Sequence, residues 1–404
     1  MFPSAFTLVF SSVVALGLLL LGPQPKGFDA ESCKRLRLSL EKEVFGQSFA
    51  STQFTSAICD HLWDTTEERP LKPLVMSIHG PPGVGKSFTH FVAAHALYNV
   101  TSTLTAYHQN TNTNNVNTNT MACPGQACSG YRVVYGLDYT LQDRAKQSEA
   151  LMSKLLSHLS SYPDSLVVIE EYDKLDCNSR GVLKQIFDQG FALNVTMQRS
   201  IFLLESNLGY GKIVEALAKA DGKQEDVDPE KLQYTLKNMM FNLWQSEKCE
   251  DRVDTLKSLS LIDMFVPYFP LDRAAISQIM DKSIQKRVDM VNKARERPIQ
   301  VVTSEPVLTF LASKIEWDGE YAVEGGKEVA TVIRRHVFGP LYQLKEEEEE
   351  VCKEKEKEKE KEKERISSQE NHAAPLQPPH ALEFVFEMDK TGRSVVLRNA
   401  SDVV

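Results

Sequence analysis

The eight residues GPPGVGKS, Gly80 to Ser87, lie between the apolar run LVMSIH and the helix-like run SFTHFVAAHALY. A strand, a glycine-rich turn and a helix in that order form a phosphate-binding loop. Each residue type has a physical task. Gly80, Gly83 and Gly85, with Pro81, Pro82 and Val84 between them, let backbone N–H groups approach an anion without a Cβ in the way. The following helix, opening at Ser87 and Phe88, points its positive end at the same anion. Lys86 can reach the β- and γ-phosphates of a nucleoside triphosphate, and the Ser87 hydroxyl can hold Mg²⁺.

A second strand-like run, LVVIEEYDKL at 166–175, ends in two acids. In nucleotide hydrolysis such a strand end supplies one acid that fixes Mg²⁺ and one that activates water. Glu170 is the candidate metal ligand, one methylene longer than the usual aspartate, and Glu171 is the candidate general base. An ordinary acidic strand end is the bland alternative. The run SIFLLESN at 200–207 ends in Asn207, which is placed to orient the attacking water.

Strand-like and helix-like runs alternate from residue 74 to 207, which predicts an α/β fold: a parallel sheet with helices on both faces and ligands at the carboxyl ends of its strands. YRVVYGLDY (131–139) reads as another strand, 144–162 and 179–191 as helices, and 211–260 as polar helix with a disordered patch at 220–229. We place a large nucleotide-binding domain at 27–272, with a low-complexity Thr/Asn-rich insertion at 101–130. A helical lid follows at 273–345, then a Lys/Glu-rich spacer and linker at 346–380 and a β-hairpin at 381–404. Alternating Lys and Glu in the spacer place opposite charges at i,i+3 and like charges at i,i+4, so it reads as a solvated segment of marginal helicity.

The 404 residues carry a net charge of −9 and no basic stripe, which argues against a nucleic-acid partner. Phe6 to Leu21 is uncharged and apolar, and the segment 1–26 reads as a secretory signal peptide, with an uncleaved anchor as the alternative. The 7 cysteines are scattered, and only Cys123 and Cys128 are close in sequence, as a local disulfide or two free thiols. Sequons begin at Asn99, Asn194 and Asn399, compatible with a secretory compartment.

The order GPPGVGKS, LVVIEEYDKL, SIFLLESN and then EGGKEVATVIRR resembles the AAA+ ATPases, in particular the Clp-type branch and its endoplasmic-reticulum relatives, the torsins. The resemblance covers about residues 36–344. It implies ATP and Mg²⁺ as ligands. It places Val44 and Phe45, within LEKEVFGQ, against the adenine, and Lys327, within GGK, near the γ-phosphate. Where Clp-type proteins carry an arginine that reaches into the neighbouring subunit, this chain has Leu261. The resemblance therefore implies a homo-oligomer or ring with slow hydrolysis, stimulated by a membrane-anchored partner that donates an arginine; Arg273 is the alternative donor. It implies a location in the endoplasmic-reticulum lumen or nuclear envelope and the remodelling of protein or membrane-protein assemblies. Departures are plain: torsins end the phosphate loop in Asn, not Ser87, and carry Cys in place of Gly326, and Glu170 fits neither group. GLDYTLQDR (136–144) has Tyr139 but no following apolar–Gly pair for a substrate-gripping pore loop. A stand-alone Clp-type unfoldase and an ATP-binding scaffold with little turnover are the rival readings.

Overall fold

The computed structural model describes residues 27–67, 72–100, 128–139, 144–189, 191–192, 194–293, 298–342 and 382–400. The apolar N-terminal run, Cys123, most of the Thr/Asn-rich insertion and the Lys/Glu spacer lie outside these residues.

Five strands form one sheet: β1 (Leu74–His79), β2 (Tyr131–Tyr135), β3 (Leu166–Glu170), β4 (Ile201–Ser206) and β5 (Met264–Pro267). Their order is β2-β3-β4-β1-β5, and every pairing is parallel. The unbroken apolar runs have a simple cause, since helices cover both faces. Successive side chains go to opposite faces. Met76, Val168 and Leu203 enter one core, while Val75, Val167 and Phe202 enter the other. The register sets Glu170 opposite Glu205, and Glu205 opposite Ile78, at the carboxyl edge. The strand expected over 131–139 stops at Tyr135 and becomes a 3₁₀ turn over Gly136–Tyr139.

On one face, α1 (Ser32–Glu43) packs against α3 (Lys86–Leu97), the helix that follows the phosphate loop. Ser32 Oγ donates to Leu97 O at 2.9 Å and Arg35 Nε to Ala96 O at 2.8 Å, satisfying carbonyls at the α3 C-terminus. A Cys33–Cys59 disulfide ties α1 to α2 (Ser48–Glu67), with Cα atoms 5.3 Å apart. On the other face lie α4 (Arg144–Ser161), α5 (Cys177–Gln189), α6 (Tyr210–Lys219), α7 (Pro229–Ser246) and α8 (Arg252–Ser260). A Cys177–Cys249 disulfide joins the start of α5 to the chain before α8. Cys128 is disulfide-bonded too.

The patch expected to be disordered, 220–229, is instead a folded connection. Gln224 Nε2 donates to Gly46 O at 2.8 Å, and Asp228 accepts from Lys231 N at 3.1 Å to cap α7. Low hydrophobicity misleads there because polar side chains order the backbone and a single residue, Val227, supplies the buried anchor.

The C-terminal part holds α9 (Arg273–Asn292), β6 (Ile299–Thr303), α10 (Glu305–Ala312) and α11 (Lys327–His336). It is not purely helical, since β6 pairs in parallel with β7 (Leu382–Met388), which pairs antiparallel with β8 (Val395–Asn399). Ile299 and Val301 are buried and Val302 is exposed, the alternation of a half-covered strand. The terminal hairpin thus completes a three-stranded sheet with β6.

Two buried histidines give the fold a pH dependence. Burial pushes His79, on β1, down to about 3, and His158, on α4, down to about 4. Both stay neutral in the folded chain, while the unfolded chain protonates them below ~6.5. The unfolded state therefore binds more protons, and stability falls as pH drops from 6.5 to 5. The Glu43 and Glu205 carboxyls, held below their ordinary value, stay ionised in both states across that window. His90, held above its ordinary value, takes up its proton at higher pH in the folded chain than in the unfolded one, so it offsets part of this loss. Urea unfolding at pH 7 and pH 5 should show a net loss, to which His79 and His158 each contribute about 2 kcal/mol. His158→Gln should flatten the dependence.

Candidate functional site

The loop from β1 to α3 carries the phosphate-binding sequence. Gly83 and Gly85 adopt left-handed conformations, φ 79° and 101°. At Gly83 a side chain would also collide with the chain, because a Cβ would lie 2.0 Å from Glu324 O. That contact comes from the loop before α11. Gly326 N donates to Gly83 O at 2.8 Å, and the Lys327 stem lies against Gly83. Lys327 therefore stands beside the phosphate loop, and its charge adds to the push on Lys86.

Lys86 is 3% exposed. Its ammonium donates to Gly80 O at 2.8 Å, Pro81 O at 2.9 Å and Asn207 Oδ1 at 2.9 Å. Among the described residues the only carboxylate it reaches is Glu205, at 4.0 Å. Burial pushes this ammonium down, against the pull of Glu205. A desolvated cation held mainly by neutral carbonyls is a site for an anion. The donor set and the glycine cradle fit a triphosphate.

Ser87 Oγ donates to the Glu205 carboxylate, 3.0 and 3.1 Å from its two oxygens. Burial would push the Glu205 carboxyl up, but His90, Lys86 and Ser87 outweigh it and hold the carboxyl below the usual range. Burial likewise favours a neutral His90, yet Glu170 and Glu205 outweigh it and hold the imidazole above its usual value. Ser87, Glu170 and Glu205 could hold a divalent cation next to bound phosphates.

Glu171 follows the end of β3 with a left-handed backbone, φ 53°. A non-glycine residue held there costs of order 1 kcal/mol or more. Gly136 makes the fit possible, since a Cβ on it would lie 2.3 Å from Glu171 O. Below this turn, Tyr172 Oη and His79 Nε2 each lie 2.7 Å from Ser77 Oγ, linking the Glu171 turn to β1.

The remaining expected residues sit on the flanks. Val44 and Phe45 line a groove with Gly46, Gln224 and Asp272. Pro82 is exposed at the loop tip, and Phe88 packs under the Lys286 ammonium of α9, 5.3 Å from its ring centre. Val84 is buried. Leu261 caps the end of α8 and packs on the core; its carbonyl accepts from Lys72 Nζ at 3.1 Å. Arg273 lies over the Trp317 ring at 4.2 Å. Tyr139 is 6% exposed, with Lys154 over its ring, so it is a core residue.

Three residues of the site escape sequence reasoning: Gln47, His90 and Glu205. Fully buried Gln47 donates to Val84 O at 3.2 Å and to Phe269 O at 2.7 Å, and accepts from Phe269 N at 2.9 Å. It fastens the phosphate loop to the chain after β5. His90 is three residues after Ser87 on one helix face, and Glu205 shares a strand-end register with Glu170; both signals were present in the sequence.

Comparison with known proteins agrees with this architecture. The model of the torsin family matches residues 28–121. A torsin-like protein of Caenorhabditis elegans is 25% identical over 249 residues, 60% of this chain and 62% of that protein. One of Drosophila melanogaster is 22% identical over 317 residues, 75% of this chain and 81% of that protein. The chaperone protein ClpB of Chlamydia muridarum is 24% identical over 323 residues, 78% of this chain but only 33% of ClpB. The resemblance to the torsins and the Clp-type branch of AAA+ proteins is thereby borne out, and the mixed α/β fold with a central parallel sheet and an added helical part accords with it.

Gln47→Leu keeps the volume but strands two carbonyls and one N–H in the interior. It should cost about 3 kcal/mol in chemical denaturation. A loss under about 0.5 kcal/mol would show that Gln47 does not hold the loop.

Proposed function

We propose that the chain is a torsin-like AAA+ ATPase that binds Mg-ATP at Gly80–Ser87 and hydrolyses it slowly until a partner completes the site. The observation that carries this reading is the buried Lys86 ammonium, hydrogen-bonded to Asn207, set beside Lys327 and no nearer than 4.0 Å to its ion-pair partner Glu205. Bound ATP supplies the phosphoryl group, and Mg²⁺ neutralises charge on it. Gly83 and Gly85 present backbone N–H groups, and Lys86 moves its hydrogen bonds from loop carbonyls to phosphate oxygens. Glu171, fixed at its turn by the close approach of Gly136, takes the proton from water that Asn207 orients. Val44 and Phe45 receive the adenine.

The position for an arginine from a neighbouring subunit is Leu261, an apolar residue packed on the core. Arg273 already lies over Trp317. Both observations support an external donor, and we assign that role to a membrane-anchored partner. The output is remodelling of protein or membrane-protein assemblies by a homo-oligomer or ring. Core-buried Tyr139 weighs against stand-alone threading of polypeptides. The Cys33–Cys59 and Cys177–Cys249 disulfides, the disulfide-bonded Cys128 and the exposed sequon residues Asn99 and Asn194 support an oxidising, glycosylating compartment, the endoplasmic-reticulum lumen or nuclear envelope. Among the described residues no helix is long and apolar enough to cross a membrane.

One observation favours the scaffold reading: Ser87 and Glu170, the expected metal ligands, are engaged by Glu205 and His90. Turnover measurements separate the two. Lys86→Ala should weaken ATP binding at least tenfold by fluorescence titration. Addition of a partner's luminal domain should raise hydrolysis at least tenfold, and removal of that domain's arginine should abolish the gain. Glu171→Gln and Gly136→Ala should keep ATP affinity and lose turnover. No hydrolysis with any partner, and Glu171→Gln indistinguishable from wild type, would leave the scaffold.

A further inference from the structure

Behind Ser87, α3 turns His90 into the protein, where the residue is 3% exposed. Its Nδ1 is fixed by Tyr131 Oη at 2.8 Å, which aims Nε2 into the gap between two strand ends. Nε2 is buried and makes no hydrogen bond. It lies 3.4 Å from Glu170 Oε1 and 3.5 Å from Glu205 Oε2, and one ligand atom from each of the three residues falls within 4.8 Å of the others. Ser87 Oγ adjoins the same Glu205 carboxylate.

These separations are informative. A charge-assisted hydrogen bond draws donor and acceptor to ~2.7–2.9 Å. Two ligand atoms held ~2.1 Å from one ion at a near-tetrahedral angle are instead about 3.4 Å apart. A buried imidazole whose far nitrogen is oriented by a hydrogen bond is also how metal-binding histidines are held. Glu170 contributes through its length, since an aspartate would end one methylene short of the ring.

We propose that His90 Nε2, Glu170 and Glu205 bind a divalent first-row transition ion, in preference to Mg²⁺, immediately beside Ser87 and the phosphate loop. Mg²⁺ takes oxygen ligands and dehydrates reluctantly, whereas one imidazole with two carboxylates suits Mn²⁺ or Zn²⁺. The ion's role as companion of the nucleotide rests on the function proposed above, but the ion site itself does not. Tyr131 acts as a positioning residue through the His90 ring.

The test uses the full chain, stripped with chelator and free of nucleotide, titrated with MnCl₂ in large excess Mg²⁺. Electron paramagnetic resonance counts bound Mn²⁺, and spin-echo modulation reports a directly coordinated nitrogen. The expected result is one retained Mn²⁺ per chain with imidazole ¹⁴N coupling. His90→Gln should lose the coupling and weaken Mn²⁺ at least tenfold, and Tyr131→Phe should weaken it several-fold. The wild-type spectrum decides the matter even if a variant fails to fold. Mn²⁺ bound without nitrogen coupling, displacement by Mg²⁺, no binding at all, or coupling that survives in folded His90→Gln would each overturn the proposal and leave His90 as a protonated counter-ion to the two carboxylates. A fluorescent ATP analogue titrated in parallel separates the two claims: ATP binding without the nitrogen signal removes the ion site alone, and the signal without ATP binding removes the nucleotide reading alone.

Discussion

The Lys86 ammonium is the interaction on which the carboxyl edge of the sheet depends. It draws together the two ends of its own loop, through Gly80 and Pro81, and the end of β4, through Asn207. It carries a full charge into a place with little solvent, and its compensation there is incomplete. That imbalance can persist because the backbone around it is fixed from outside. Gln47 grips the loop at Val84, and the turn before α11 sits on Gly83. The same geometry that leaves the ammonium under-compensated suits it to receive an anion.

A second consequence follows from strand register. Because Glu170 and Glu205 are opposite one another on adjacent parallel strands, two carboxylates share one face of the edge. Like charges so placed repel unless a cation stands between them. Lys86, the Ser87 hydroxyl and His90 all converge there. The phosphate loop and the acidic edge are therefore one electrostatic unit, and a change in the cation beside Glu205 reaches Lys86 within a single side chain. The C-terminal part enters the same unit through Gly326, which bonds to Gly83, and through the Lys327 charge on Lys86.

Much of this was legible in local sequence. Strands β1, β3 and β4 are short unbroken apolar runs, which only a sheet covered on both faces accommodates, and Gly83 with Lys86 announces an anion. What was not legible depends on residues brought together from far apart. β6 is five residues that find their partner only after the Lys/Glu segment, so local reading left the region as helices. His90, Glu170 and Glu205 come from three elements, and none is distinctive alone. Gln47 lies within the run that resembles an adenine-pocket motif, but its side chain works on the phosphate loop and on Phe269. The segment 220–229 shows the converse error, where polar composition hid an ordered connection.

On the proposed function, the Lys86 ammonium exchanges loop carbonyls for nucleotide phosphates. An experimental structure of Glu171→Gln with Mg-ATP tests it most directly. The expected result is a triphosphate in the Gly80–Ser87 loop, with Lys86 Nζ released from Gly80 O and Pro81 O onto phosphate oxygens and Lys327 facing the terminal phosphate. A loop empty at saturating ATP, or nucleotide bound elsewhere with Lys86 still on the two carbonyls, would contradict it.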